Sequence, residues 1–173
     1  MIRRSLLLAT LLMLGAVALP QLRRVVAADP QPSIKLDVSN AGPREFEDQT
    51  QRSIVRDYGR AWALMRDALE QNNSRILERY FAGIAKDKLT EAVKQQQESG
   101  VRVRYLDRSH ALHALFYSPE GTAIEARDTA QIEMQILDGG KVVHSEQLTQ
   151  PFLVLFTPAE DRWKVRLLEP LPQ

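Results

Sequence analysis

The hydrophobic period of this chain changes once, at Gly100, and that change confines it to a narrow group of folds. Upstream, apolar residues recur every three or four positions; downstream they alternate. Ile54, Tyr58, Ala61, Trp62, Met65 and Leu69 mark one face of a long helix between Pro43 and Gln71. Pro43 suits a first helical position and Asn72-Asn73 a stop. Ser74 is placed to cap a second helix carrying Ile76, Leu77, Tyr80 and Phe81. A third runs over about residues 86–98, with Leu89, Ala92 and Val93 inward and Gly100 closing it.

After Gly100, three turn signals (Ser118-Pro-Glu-Gly121, Asp138-Gly-Gly-Lys141 and Pro158-Ala-Glu-Asp161) separate extended runs at 101–117, 122–138, 142–157 and 162–168. Connections this short join antiparallel neighbours, so the runs form a meander. Three of them exceed ordinary strand length and must bend. In the first, the apolar set moves from odd positions (Val101, Val103, Tyr105) to even ones (Leu112, Ala114, Phe116), which predicts a bulge between Asp107 and Ser109. Pro151 asks for a second bulge or an edge in the third run. The expected fold class is α+β, with N-terminal helices packed in a strongly curved antiparallel sheet.

The N-terminus reads as a targeting segment. Met1-Ile-Arg-Arg4 precedes fifteen uncharged, mostly apolar residues, Ser5 to Leu19. A bilayer span needs about 20, so residues 1–28 read as a signal peptide or short membrane anchor, with small-residue cleavage sites after Ala18 and Ala28. The expected organisation is a linker at 29–42, a cone-like domain at 43–168 and a tail at 169–173. The localisation expected is periplasmic or extracellular, with anchoring at the inner membrane through 5–19 as the alternative. Of 23 basic residues, four arginines lie in 1–28; the remainder holds 19 against 22 acids, a formal −3 instead of +1. That balance excludes a charge-driven nucleic-acid partner. The chain has no cysteine, hence no disulfide framework, thiol nucleophile or thiolate metal site.

The second extended run carries the sharpest chemical signal. Its even positions are Ile124, Ala126, Asp128, Ala130, Ile132, Met134 and Ile136, and Asp128 alone among them is polar. Parity turns that face inward, so the carboxylate must be paired, wet, or neutral. A three-residue hairpin loop with Gly121 left-handed sets Phe116 opposite Ile124, Leu112 opposite Asp128 and His110 opposite Ala130. His110 then lies diagonal to Asp128, on the same face, at about 5–8 Å. Such a pair is either a structural hydrogen bond or an acid–base site; Arg166 is an alternative partner for Asp128. Tyr58 and Trp62 join them as candidate ligand contacts, their other reading being plain core packing.

Other constellations are weaker. His110 and His113 are three apart, so on a strand they face opposite sides and cannot share a metal; His144 stands by itself, and no metal or cofactor is expected. Asp107, Ser109 and His110 include triad residue types, but neighbours on one strand cannot converge. Arg102, Arg104 and Arg108 form either a small anion-binding stripe or a solvated face.

The order of elements, the long helix around Tyr58-Gly-Arg-Ala-Trp62, the Tyr80-Phe81 helix and the closing pair Phe152-Leu-Val-Leu-Phe156 and Arg162-Trp-Lys-Val-Arg166 resemble the nuclear-transport-factor-like superfamily, a cone-shaped α+β scaffold that includes ketosteroid isomerase, small polyketide cyclases and many non-catalytic domains. The resemblance implies a sheet curled round the long helix, with a pocket at the open end. Ketosteroid isomerase uses an Asp base with a Tyr and a protonated Asp; a second inward acid beside a Tyr is not found here, so that set does not carry over. The expectation is an exported, non-catalytic domain that binds a small molecule or an envelope protein through its pocket or sheet face. Its rivals are a cofactor-free isomerase, dehydratase or cyclase using Asp128 and His110, and a membrane-tethered assembly component. A homodimer through the sheet face is the expected mode of self-association, if any.

Overall fold

A computed structural model describes residues 32–172. The order is strand β1 (Ser33–Asp37), helix α1 (Asp48–Glu70), a 3₁₀ helix (Ser74–Arg79), helix α2 (Gly83–Ser99), and strands β2 (Val101–Tyr117), β3 (Ile124–Asp138), β4 (Lys141–Ala159) and β5 (Arg162–Pro170). One sheet runs in the order β1-β2-β3-β4-β5, antiparallel from β2 onward. The α+β class and the meander are as expected. The putting-away of a signal or anchor at 1–28 falls outside the described residues.

All six apolar positions of the α1 stripe are buried, and they meet Leu112, Ile124, Ala126, Ala130, Val154, Phe156 and Val165 in one core. Gly100 closes α2 in the left-handed conformation at φ 73°. The second helix is a 3₁₀ turn capped by Asn73, whose side chain accepts from Arg75 N–H; Ser74 is its first residue. Pro43 does not begin α1. Residues 42–44 are drawn to the end of β2, where Tyr117 N–H donates to Gly42 and Arg44 N–H to Tyr117, and the helix starts at Asp48.

Two boundaries differ from the sequence expectation. The segment expected as a 29–42 linker contains β1, which pairs in parallel with β2 from Ser33↔Ser109 to Asp37↔His113. Ile34 and Leu36 alternate inward against the core, burial that five residues with so short a pattern do not announce. At the other end β5 extends through Pro170, and Leu171 N–H donates to Pro151 C=O. Residues 169–171 of the expected 169–173 tail are thus tied to the sheet.

The long strands bend where their registers slip. The slip between Asp107 and Ser109 leaves Arg108 as the extra residue, as the parity change predicts. A second slip between Ala114 and Phe116 was not expected. The hairpin loop is one residue longer than a three-residue turn, because Ser118 pairs with Ala123 and its hydroxyl accepts from both Thr122 and Ala123 N–H. Phe116 therefore faces Glu125 and Tyr117 faces Ile124, correcting the expected Phe116–Ile124 pair. The extra residue at Leu115 then restores the register, and Leu112↔Asp128 and His110↔Ala130 stand as expected. Pro151 lies where β4 changes from inner strand to edge: β5 pairs with β4 only from Phe152 onward.

Candidate functional site

Asp128 sits at the middle of β3 on the concave face, beneath α1, and is 0% exposed. Two side chains converge on its Oδ2: the Tyr58 hydroxyl donates at 2.7 Å, and His110 Nδ1 lies at 2.8 Å. With Asp128 as carboxylate, His110 donates from Nδ1. Trp62, one helical turn beyond Tyr58, lays its ring over His110 with centroids 4.5 Å apart. Tyr58 meets the same imidazole edge-on at 5.5 Å and Phe156 at 5.4 Å. The four residues singled out from sequence, Asp128, His110, Tyr58 and Trp62, thus form one cluster. Arg166 is not the partner of Asp128; its side chain lies against Gly83.

Every member is closed off. The His110 and Asp128 side chains are both 0% exposed. Four surface hollows of about 290–390 Å³ among the described residues are lined by other side chains. Burial, and then the Asp128 carboxylate, hold the Tyr58 phenol well above its ordinary value; the Trp62 N–H pulls the other way. Three polar atoms of the cluster, Trp62 Nε1, His110 Nε2 and Asp128 Oδ1, have no hydrogen-bond partner of good geometry among the described residues.

The remaining candidates disperse. His113 is exposed on the opposite face from His110, 3.2 Å from Asp37. His144 is exposed beside Glu146. Two of the three arginines of the stripe, Arg104 and Arg108, pair with Glu70 and Glu133. Ser109 bonds to Gln131 rather than to an acid–base partner.

Sequence reading missed one buried acid. Asp57 is 1% exposed; its carboxylate accepts from Trp163 N–H at 2.9 Å and pairs with Arg56 at 2.8 Å. The signal was available, since Asp57 stands three after Ile54 and four before Ala61 on the buried stripe.

The intermembrane-space region of the chloroplast protein ARC6 superposes on 76% of this chain and 100% of its own length, with a TM-score of 0.61 and 15% identity. The chain has the cone-shaped, nuclear-transport-factor-like fold. A scytalone dehydratase candidate from Novosphingobium aromaticivorans (TM-score 0.49, 11% identity, 72% of this chain and 87% of that one) aligns more loosely. So does a ketosteroid isomerase candidate from Shewanella frigidimarina (TM-score 0.39, 15% identity, 66% and 94%). No family model matches the chain, and no curated protein matches it in sequence. At these identities the likeness is one of fold alone.

Proposed function

We propose that this chain is an exported, non-catalytic accessory domain that binds an envelope protein or a small molecule. The observation that carries the reading is the closed interior: the only inward acid of β3 is held by Tyr58 and His110 and roofed by Trp62, all 0–2% exposed. A general base must reach its substrate, and here the carboxylate's hydrogen bonds serve to join α1, β2 and β3. Export is supported by the 1–28 segment, and the ARC6 region, itself from an intermembrane space, is in keeping with a fold that works beyond a membrane. The outer sheet face offers a docking surface. Leu115 and Phe116 are 47% and 40% exposed there, beside half-buried Leu153, Leu155 and Leu167. An envelope protein or a second copy fits that face, and retention of residues 5–19 would tether the whole to the membrane.

One observation favours the rival reading. Leaving buried polar atoms unpaired costs about 1–3 kcal/mol each, and His110 Nε2 and Asp128 Oδ1 are two in one cluster. A site that opened to admit a carbonyl compound would use them, with Asp128 abstracting an α-proton.

The discriminating experiment is deuterium exchange at the α-carbon of cyclohexanone in D₂O, followed by NMR, with the purified mature chain. Exchange no faster than in buffer is expected. Accelerated exchange that disappears in a folded Asp128→Asn variant overturns the non-catalytic reading.

A further inference from the structure

On the far side of α1 from the Asp128 cluster, three guanidinium groups gather on one phenol. Arg60 donates from Nη1 to the Tyr80 hydroxyl at 3.2 Å, and Arg79 and Arg162 place their guanidinium carbons 5.8 and 5.7 Å from the Tyr80 ring centroid. They come from α1, the end of the 3₁₀ helix and the start of β5, so the fold assembles them from separate segments. Tyr80 itself is only 3% exposed, which fixes the ring against which the cations are arranged.

Local acids balance only the Arg162 part of this charge. Arg162 pairs with Asp161 and Glu160, and neighbouring Arg56 with Asp57. Among the described residues, Arg60 and Arg79 have no carboxylate within ion-pair distance; Tyr80 is their shared contact. Both line a surface hollow of about 290 Å³, together with Tyr80, Ala63 and Leu64 and without any acid. Like charges held together in a chain whose mature part is net negative are a cost that an anion offsets. Two guanidinium forks and a phenolic O–H, which accepts from Arg60 and retains its own proton to give, supply donors in the number that a tetrahedral oxyanion accepts. Ala63 and Leu64 add a short apolar wall.

We infer that the hollow bounded by Arg60, Arg79 and Tyr80 is a binding site for a phosphate group carried on a small organic body, either a soluble phosphate monoester or the headgroup of an anionic phospholipid. The site lies outside the closed interior and stands whether or not Asp128 is catalytically silent.

The test titrates the full mature chain with inorganic phosphate at constant ionic strength and follows backbone amide shifts by NMR. Saturable shifts at Arg60, Ala63, Leu64, Arg79 and Tyr80 are expected. Arg60→Gln and Arg79→Gln should each weaken binding about tenfold, and Tyr80→Phe several-fold. Arg127→Gln, on the outer face of β3, should leave binding unchanged. Arg79 is exposed, so its substitution leaves the core intact, and amide shifts outside the hollow report the fold of every variant. Tighter binding of glycerol 3-phosphate than of inorganic phosphate identifies a soluble ester. Sedimentation with phosphatidylglycerol vesicles but not phosphatidylcholine vesicles, lost in Arg79→Gln, identifies a lipid headgroup. Shifts that do not saturate, or that Arg127→Gln reduces as much as Arg79→Gln, overturn the site.

Discussion

At the scale of single residues, the interior depends on where one proton resides. Tyr58 donates to a buried carboxylate, and burial together with that negative charge holds its phenol above the ordinary 10.0. The folded state therefore keeps this proton more tightly than the unfolded chain does. Its contribution to stability is complete below about pH 10 and is lost as pH climbs beyond that point toward the raised folded value. Tyr58→Phe removes both the hydrogen bond and this dependence. It should cost about 1.5–3 kcal/mol at pH 8 by urea denaturation, the range for a bond to a charged partner. The gap between wild type and variant should then shrink by up to about 1.4 kcal/mol per pH unit above 10. Tyr105, also raised by burial, acts in the same direction in both proteins and cancels in the comparison. A gap that stays constant to pH 11 would mean that Tyr58 is not the donor. Asp128 was legible because a polar residue in an alternating apolar run has one face to occupy, and His110 followed from register. The role of Tyr58 was not legible, since a tyrosine on an apolar helical stripe reads as core and its acceptor lies 70 residues away.

Among the elements, side chains that hold one segment against another decide the arrangement. Asp57 reaches from α1 to the start of β5, accepting from Trp163 N–H, while Val165 N–H donates to Tyr80 C=O and Ala82 N–H to Val165 C=O. Those bonds cover the outer edge of β5 at Val165 with the 80–82 segment, which blocks strand addition at that point. Asp57→Ala should destabilise by about 1–3 kcal/mol, because it leaves an amide and Arg56 without their acceptor. Asp57→Asn, which keeps an oxygen for Trp163, should cost less. Urea midpoints and hydrogen exchange at the Trp163 amide read both; equal losses would show that the charge, rather than the amide bond, carries the contact. Strands and turns could be read here because Gly, Pro and alternation mark them. The slip at Arg108 showed as a change of parity, whereas the one at Leu115 did not, because it compensates a longer loop and leaves the downstream pattern in phase. β1 escaped for a related reason: five residues outside the main pattern acquire their strand identity only from the β2 edge they meet.

For the molecule as a whole, stability should be graded along the sheet. The helices lie against β2 and β5, and the buried core runs from Leu112 and Ile124 to Val154 and Val165. The far arm is built differently. Lys141–Gln147 of β4 are all exposed, β5 does not reach them, and Val142 and Val143 are 49% and 62% exposed at the hairpin end. A two-sided solvated strand with one neighbour opens by local fraying, while the Ala126–Ala130 stretch of β3 opens only when the helical roof leaves. Native-state hydrogen exchange should therefore find the ladder amides of Lys141–Gln147 exchanging at least about a hundredfold faster than those of Ala126–Ala130. The same gradient separates the two chemical regions: the Asp128 cluster lies in the slow part, where its hydrogen bonds unite three elements. Equal protection along β4 would contradict this division, because an arm with no buried side of its own can match the centre only if the whole sheet opens as a single unit.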